Sequence, residues 1–171
     1  MKRIILITGG QRSGKSEEAE RLVLSLSAEP VYMATAHVWD EEFRQRVEHH
    51  QQRRGSQWTN IEEERCLSQH NVSGRVVLID CVTLWLTNLF FDTHDVAQAL
   101  ETAKTEFDRF TSQDAIFIFF TNEIGWGGVS IDKVQRQFTD LQGWMNQYIA
   151  QKADEVLLMV SGIAVKVKSQ E

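Results

Sequence analysis

The segment Gly9-Gly10-Gln11-Arg12-Ser13-Gly14-Lys15-Ser16 limits what this chain can fold into more than any other. It satisfies GxxxxGK[ST], a pattern with structural meaning only between a buried strand and a helix. Both flanks have that character. Arg3–Thr8 is a continuous, largely β-branched run, as in a strand buried on both faces. Lys15–Ser27 carries Ala19, Leu22, Val23 and Leu26 at helical spacing. The chemistry explains the residue types. Glycines let the backbone turn its N–H groups inward around anionic oxygens, and the start of the helix adds a positive end. Lys15 can reach the outer phosphates of a nucleotide, and the Ser16 hydroxyl can ligate Mg²⁺.

Short apolar runs alternate with helical patterns along the rest of the chain. Val31–Ala34, Val76–Ile79 and Ala115–Phe120 read as strands, and Glu155–Val160 and Ile163–Val167 as two more around Ser161-Gly162. Val96, Leu100, Ala103, Phe107 and Phe110 mark one amphipathic helix; Val134, Phe138, Leu141, Met145 and Ile149 mark another. Asp40–Arg54 is polar and helix-like, with Phe43 and Val47 as its apolar pair, and residues 82–91 are apolar without a clear period. Strands separated by crossover helices predict a parallel α/β sheet covered on both faces. Ligands in such sheets bind beyond the carboxyl ends of the strands, here after Ile7, Ala34, Ile79 and Phe120.

Composition excludes several classes. With 171 residues the chain reads as one domain, and 42% hydrophobic with 25% charged residues is ordinary for a globular protein. The net charge of −6 argues against a protein that coats nucleic acid or an anionic membrane. Cys66 and Cys81 form no zinc-like cluster, and two lone thiols suit a reducing cytoplasm. The apolar start of the chain is too short for a signal peptide, and no run approaches the ~20 apolar residues of a membrane span.

Val76-Val77-Leu78-Ile79-Asp80 places a carboxylate after a buried strand, where it can hold Mg²⁺; a turn or capping role for Asp80 is the alternative. A GTPase-type NKxD motif is absent. These features reach a P-loop phosphotransferase; a monofunctional small-molecule kinase or a non-catalytic nucleotide-binding regulatory module stays open. Residues 40–54 add a histidine pair. On a helix, Arg46 and Arg53 share a face with His49, and guanidinium groups beside an imidazole suit a phosphate ligand. Taken alone, the pair His49-His50 reads more readily as a solvated helix surface, the commoner situation.

Together these blocks resemble the bifunctional adenosylcobinamide kinase/adenosylcobinamide-phosphate guanylyltransferases of cobalamin biosynthesis. The resemblance runs nearly end to end. It rests on the phosphate loop, Tyr32-Met33-Ala34-Thr35-Ala36, Arg46-Val47-Glu48-His49-His50, Arg54, Trp58, Asp80-Cys81-Val82-Thr83, Thr121-Asn122-Glu123-Ile124-Gly125 and Val160-Ser161-Gly162-Ile163. It implies a P-loop NTPase (RecA-like) fold, three-layer α/β/α with a mostly parallel central sheet, in a cytoplasmic homotrimer. It also implies phosphorylation of adenosylcobinamide with ATP or GTP, then transfer of GMP from GTP through a guanylyl-histidine. By motif position that histidine is His49, acting with Lys15. The nucleotide set implied is Gly9, Gly10, Gln11, Arg12, Ser13, Gly14, Lys15 and Ser16 with Thr35, Arg46, Glu62 and Asp80. Ser16 and Asp80 are the implied Mg²⁺ ligands, and Glu123 is a carboxylate that could bear on metal, water or guanine or serve as a structural acceptor. Three departures stand out: Gly55 where the family has proline after Arg54, Gly128-Val129-Ser130 where the family has Val-Pro after Gly127, and Thr139 in place of an arginine.

Overall fold

A computed structural model describes residues 1–169. The strands are β1 (Arg3–Gly9), β2 (Val31–Ala34), β3 (Thr59–Glu62), β4 (Val76–Asp80), β5 (Ile116–Asn122), β6 (Glu155–Val160) and β7 (Ile163–Lys168). The helices are α1 (Lys15–Leu26), α2 (Glu41–Arg53), α3 (Val82–Thr93), α4 (Val96–Phe110) and α5 (Lys133–Lys152). All strands join one sheet of order β3-β2-β4-β5-β1-β6-β7. Every pairing is parallel except β6 with β7, as the sequence pattern predicts for a mostly parallel sheet.

The central strands are apolar on both faces because both faces are covered. In β1, Ile4 and Leu6 enter one core and Ile5 and Ile7 the other; in β5, Phe117 and Phe119 divide from Ile118 and Phe120 in the same way. The first core lies under α3, α4 and α5 and includes Trp85, Phe107, Phe110 and Met145. The second lies on the α1 side and includes Ala19, Val23, Tyr32 and Trp58. Phe119 is fully buried, with the Phe107 ring centroid at 5.1 Å. Phe119→Ala should therefore lower stability by about 3–5 kcal/mol, read as a lower denaturant midpoint with an unchanged slope.

Two elements differ from the sequence expectation. Residues 82–91, apolar without a clear period, form most of α3, whose one-sided burial of Val82, Trp85, Leu86, Leu89 and Phe90 sits against the first core. β3 carries no sequence signal, since only Ile61 of Thr59-Asn60-Ile61-Glu62 is apolar; it is an edge strand held by register with β2. At the other edge, Ile163, Val165 and Val167 of β7 stay exposed. No helix among the described residues is long and apolar enough to cross a membrane.

Candidate active site

Four parallel strands end side by side: Gly9 of β1 pairs with Asn122 of β5, and Asp80 of β4 pairs with Ala34 of β2. The loop after β1 is shaped by local necessity. A side chain at Gly9 would meet Ser13 Oγ at 2.7 Å and the Met159 carbonyl oxygen at 2.9 Å. Gly14 has φ +95°, and a Cβ there would lie 3.2 Å from Gly162 Cα. The Gly162 N–H donates to the Ser13 carbonyl at 2.9 Å, so the β6–β7 turn braces the loop. Lys15 is buried at the head of α1, with its ammonium donating to the Gly10 carbonyl at 2.5 Å. Burial lowers its pKa, opposed by the charges of Cys81 and Glu17. Ser13 Oγ is buried and unpartnered, a polar atom facing phosphate-binding backbone.

A cavity of about 860 Å³ opens over this loop, in the size range of sites for nucleotide-sized ligands. Gln11 to Ser16 line it, together with His50 and Arg53 from the end of α2. His49 is not among the lining residues and is exposed. Adjacent helix positions point about 100° apart, so only one of the two histidines can face the loop. The expectation for Arg46 is likewise not met in this structure: it is exposed and pairs with Glu42 at 2.7 Å. Arg53 does line the cavity, but beside His50 and not beside His49 as the spacing suggests.

Thr35 is wholly buried and braces the site instead of touching its contents. Its hydroxyl donates to the Cys81 carbonyl at 2.8 Å and accepts from the Cys81 N–H at 3.0 Å. Asn88, which lies in the block 80–89 that shares the family resemblance but had no expected role, donates to the Thr35 carbonyl at 2.7 Å. Glu62 ends β3, exposed and outside the lining of the phosphate cavity. Glu123 accepts from the Gly125 and Trp126 N–H groups at 2.8 and 3.0 Å, the structural role among those open to it.

Beside the phosphate cavity lies a recess of about 120 Å³. Ser16 and Asp80 both line it, offering oxygen donors of the kind hard cations prefer. The Tyr32 hydroxyl donates to Asp80 Oδ2. Burial, helped by the charge of Glu20, pushes the Asp80 carboxyl up to about 7. The unfolded chain loses this proton first, so Asp80 costs stability as pH rises from 3.8 through about 7. In ligand-free protein, Asp80→Asn should therefore gain on the wild type across that window, by about 4 kcal/mol at most. Thermal unfolding of both proteins at acidic and neutral pH checks this; a difference independent of pH would contradict it.

Phosphate-binding backbone at the end of the first strand of a parallel, helix-covered sheet places the chain among P-loop NTPase folds. Solved structures agree on the fold: a KaiC-like protein from Pyrococcus horikoshii matches with TM-score 0.55 at 12% identity, over 99% of this chain and 80% of its own. A flagellar accessory protein FlaH from Methanocaldococcus jannaschii matches with TM-score 0.50 at 15% identity, over 98% and 79%. Within that class the chain belongs to the cobinamide kinase / cobinamide phosphate guanyltransferase family, whose model matches residues 5–167. Its relatives include the bifunctional adenosylcobalamin biosynthesis proteins CobU of Escherichia coli and CobP of Pseudomonas aeruginosa. The first is 38% identical, over 96% of this chain and 99% of its own; the second is 35% identical, over 96% and 97%.

Proposed function

We propose that one phosphate loop serves two reactions of this chain: phosphorylation of the adenosylcobinamide hydroxyl with ATP or GTP, and transfer of GMP from GTP to the resulting phosphate through a guanylyl-histidine. The observation that carries the reading is the histidine brought to the wall of the phosphate cavity. The residue pattern pointed to His49; the cavity lining favours His50, and we assign the nucleophile there. In the first step, positioning and electrostatics do most of the work. Backbone N–H groups of the loop and the Lys15 ammonium hold the phosphates. In the second, a neutral His50 nitrogen attacks the α-phosphorus of GTP. An N–P bond forms and pyrophosphate leaves.

Ser16 and Asp80 fit Mg²⁺, which prefers a few oxygen ligands and is commonly held by one or two protein groups plus substrate phosphates. Among the described residues no cluster of three or more His, Cys, Asp or Glu could cage an ion, in keeping with that mode. Bound there, Mg²⁺ would offset phosphate charge. The domain is read as a single unit over 1–171 working in the cytoplasm as a homotrimer. The exposed apolar residues Ile163, Val165 and Val167 on β7 support self-association.

The test is incubation with GTP labelled at the α-phosphate. Acid-labile label on the protein is expected, with one pyrophosphate released per label, and a chase with adenosylcobinamide phosphate should move the label to product. Phosphorylation of adenosylcobinamide without any protein label would leave a kinase alone. Nucleotide binding with neither reaction would leave a regulatory module.

A further inference from the structure

Arg54, the residue that closes α2, is buried to 7% exposure. Gly55 follows at φ +72°, a backbone conformation closed to proline, and turns the chain sharply there. The Arg54 guanidinium lies 3.3 Å from the centre of the Tyr32 ring. That stacking fixes its plane but supplies no negative charge; the charge of Glu20 acts on the guanidinium without coming within ion-pair distance. Among the described residues it forms no ion pair within 4 Å, and its guanidinium donates one hydrogen bond, to Asn60 Oδ1 at 3.3 Å. Its Nε is buried without a partner. A guanidinium has five donors and always carries charge, so a buried one left this bare is costly unless a ligand completes it.

Arg54 lines the small recess, and so do Arg53 and His50. The recess holds about 120 Å³, far below the roughly 300–1,000 Å³ of sites for whole small molecules, so it suits small charged groups and not a whole substrate. His50 and Arg53 line both this recess and the phosphate cavity. A group carried by His50 from a donor nucleotide to an acceptor needs the two on either side of it.

We propose that Arg54, together with Arg53, binds the phosphate monoester of the acceptor during guanylyl transfer, in this recess beside the phosphate loop, whose Ser16 also lines it. The inference rests on the guanylyl-histidine reading above. The planar fork of the guanidinium matches two oxygens of a phosphate. In this half-reaction a phosphate oxygen of the acceptor attacks the phosphorus of the histidine-bound GMP. A P–O bond forms and the P–N bond breaks. The ring leaves as neutral imidazole, protonated on its other nitrogen. Glu17, Glu20 and Asp80 also line the recess and oppose a free anion. The subsite thus favours a phosphate delivered by binding made elsewhere on a larger substrate.

The experiment separates loading from transfer. Wild type, Arg54→Gln and Arg54→Lys are charged with α-labelled GTP, freed of nucleotide, and chased with subsaturating adenosylcobinamide phosphate. Losing a charge-assisted hydrogen bond should slow the chase by roughly 10- to 100-fold in Arg54→Gln, far more than it slows loading. Arg54→Lys keeps the charge and should fall between. Equal losses in loading and chase mean a purely structural residue and overturn the proposal, as does a chase rate equal to wild type. Calorimetric binding of adenosylcobinamide phosphate to the GDP-loaded proteins gives a second reading independent of covalent labelling. There the Kd should rise by a similar factor in Arg54→Gln, and an unchanged Kd overturns the subsite. Wild type that takes no label would instead overturn the guanylyl-histidine reading.

Discussion

His50→Ala should take no acid-labile label from α-labelled GTP, while His49→Ala labels at close to the wild-type rate. Removing a covalent nucleophile removes the route itself, so guanylyl transfer should fall by roughly 10⁴-fold or more. The kinase step forms no bond to histidine and should fall much less. The contrast between neighbours follows from helix geometry. Both histidines are exposed, but His50 lines the phosphate cavity and His49 does not. Label retained in His50→Ala and lost in His49→Ala would restore the assignment made from motif position. It would also require α2 to rotate when GTP binds.

Lys15→Ala should impair both reactions together, by roughly 10²–10³-fold each, the usual cost of removing one preorganised group that stabilises transition-state charge. The reason is structural: the ammonium is buried against the loop, one hydrogen bond from the Gly10 carbonyl. Arg12 lines the cavity too, but it sits on an exposed part of the loop. Parallel assays of adenosylcobinamide phosphorylation and protein guanylylation check the expectation. Normal guanylylation with lost phosphorylation would mean that the two reactions use separate nucleotide sites.

How much of this could be read from residues varies with how locally each feature is encoded. β1, β4 and β5 announce themselves because burial on both faces demands unbroken apolar runs. β3 does not, because an edge strand gains its pairing from β2 and needs little hydrophobic content of its own. For Trp85 the sequence leaves an interface residue and a core residue equally open; it is fully buried and donates its indole N–H to the Arg65 carbonyl at 3.0 Å. Thr35 shows the same limit in the site. Its place after β2 suggests a ligand contact, yet its hydroxyl is consumed by the backbone of Cys81.

The sequence by itself determined the phosphate chemistry. Gly9, Gly14, Lys15 and Ser16 act through local backbone conformation and a helix start, so their spacing carries their meaning. Only the tertiary structure decided which histidine meets that chemistry and left Arg54 beside it as a bare cation. The physical reason lies in α2, which contains no buried residue. A helix with a wide apolar stripe declares its orientation in its sequence. α2 has only the partly buried Phe43 and Val47, so its rotation is set by where the chain enters and leaves it. That rotation puts His50 and Arg53, and not His49, on the wall of the cavity over the loop.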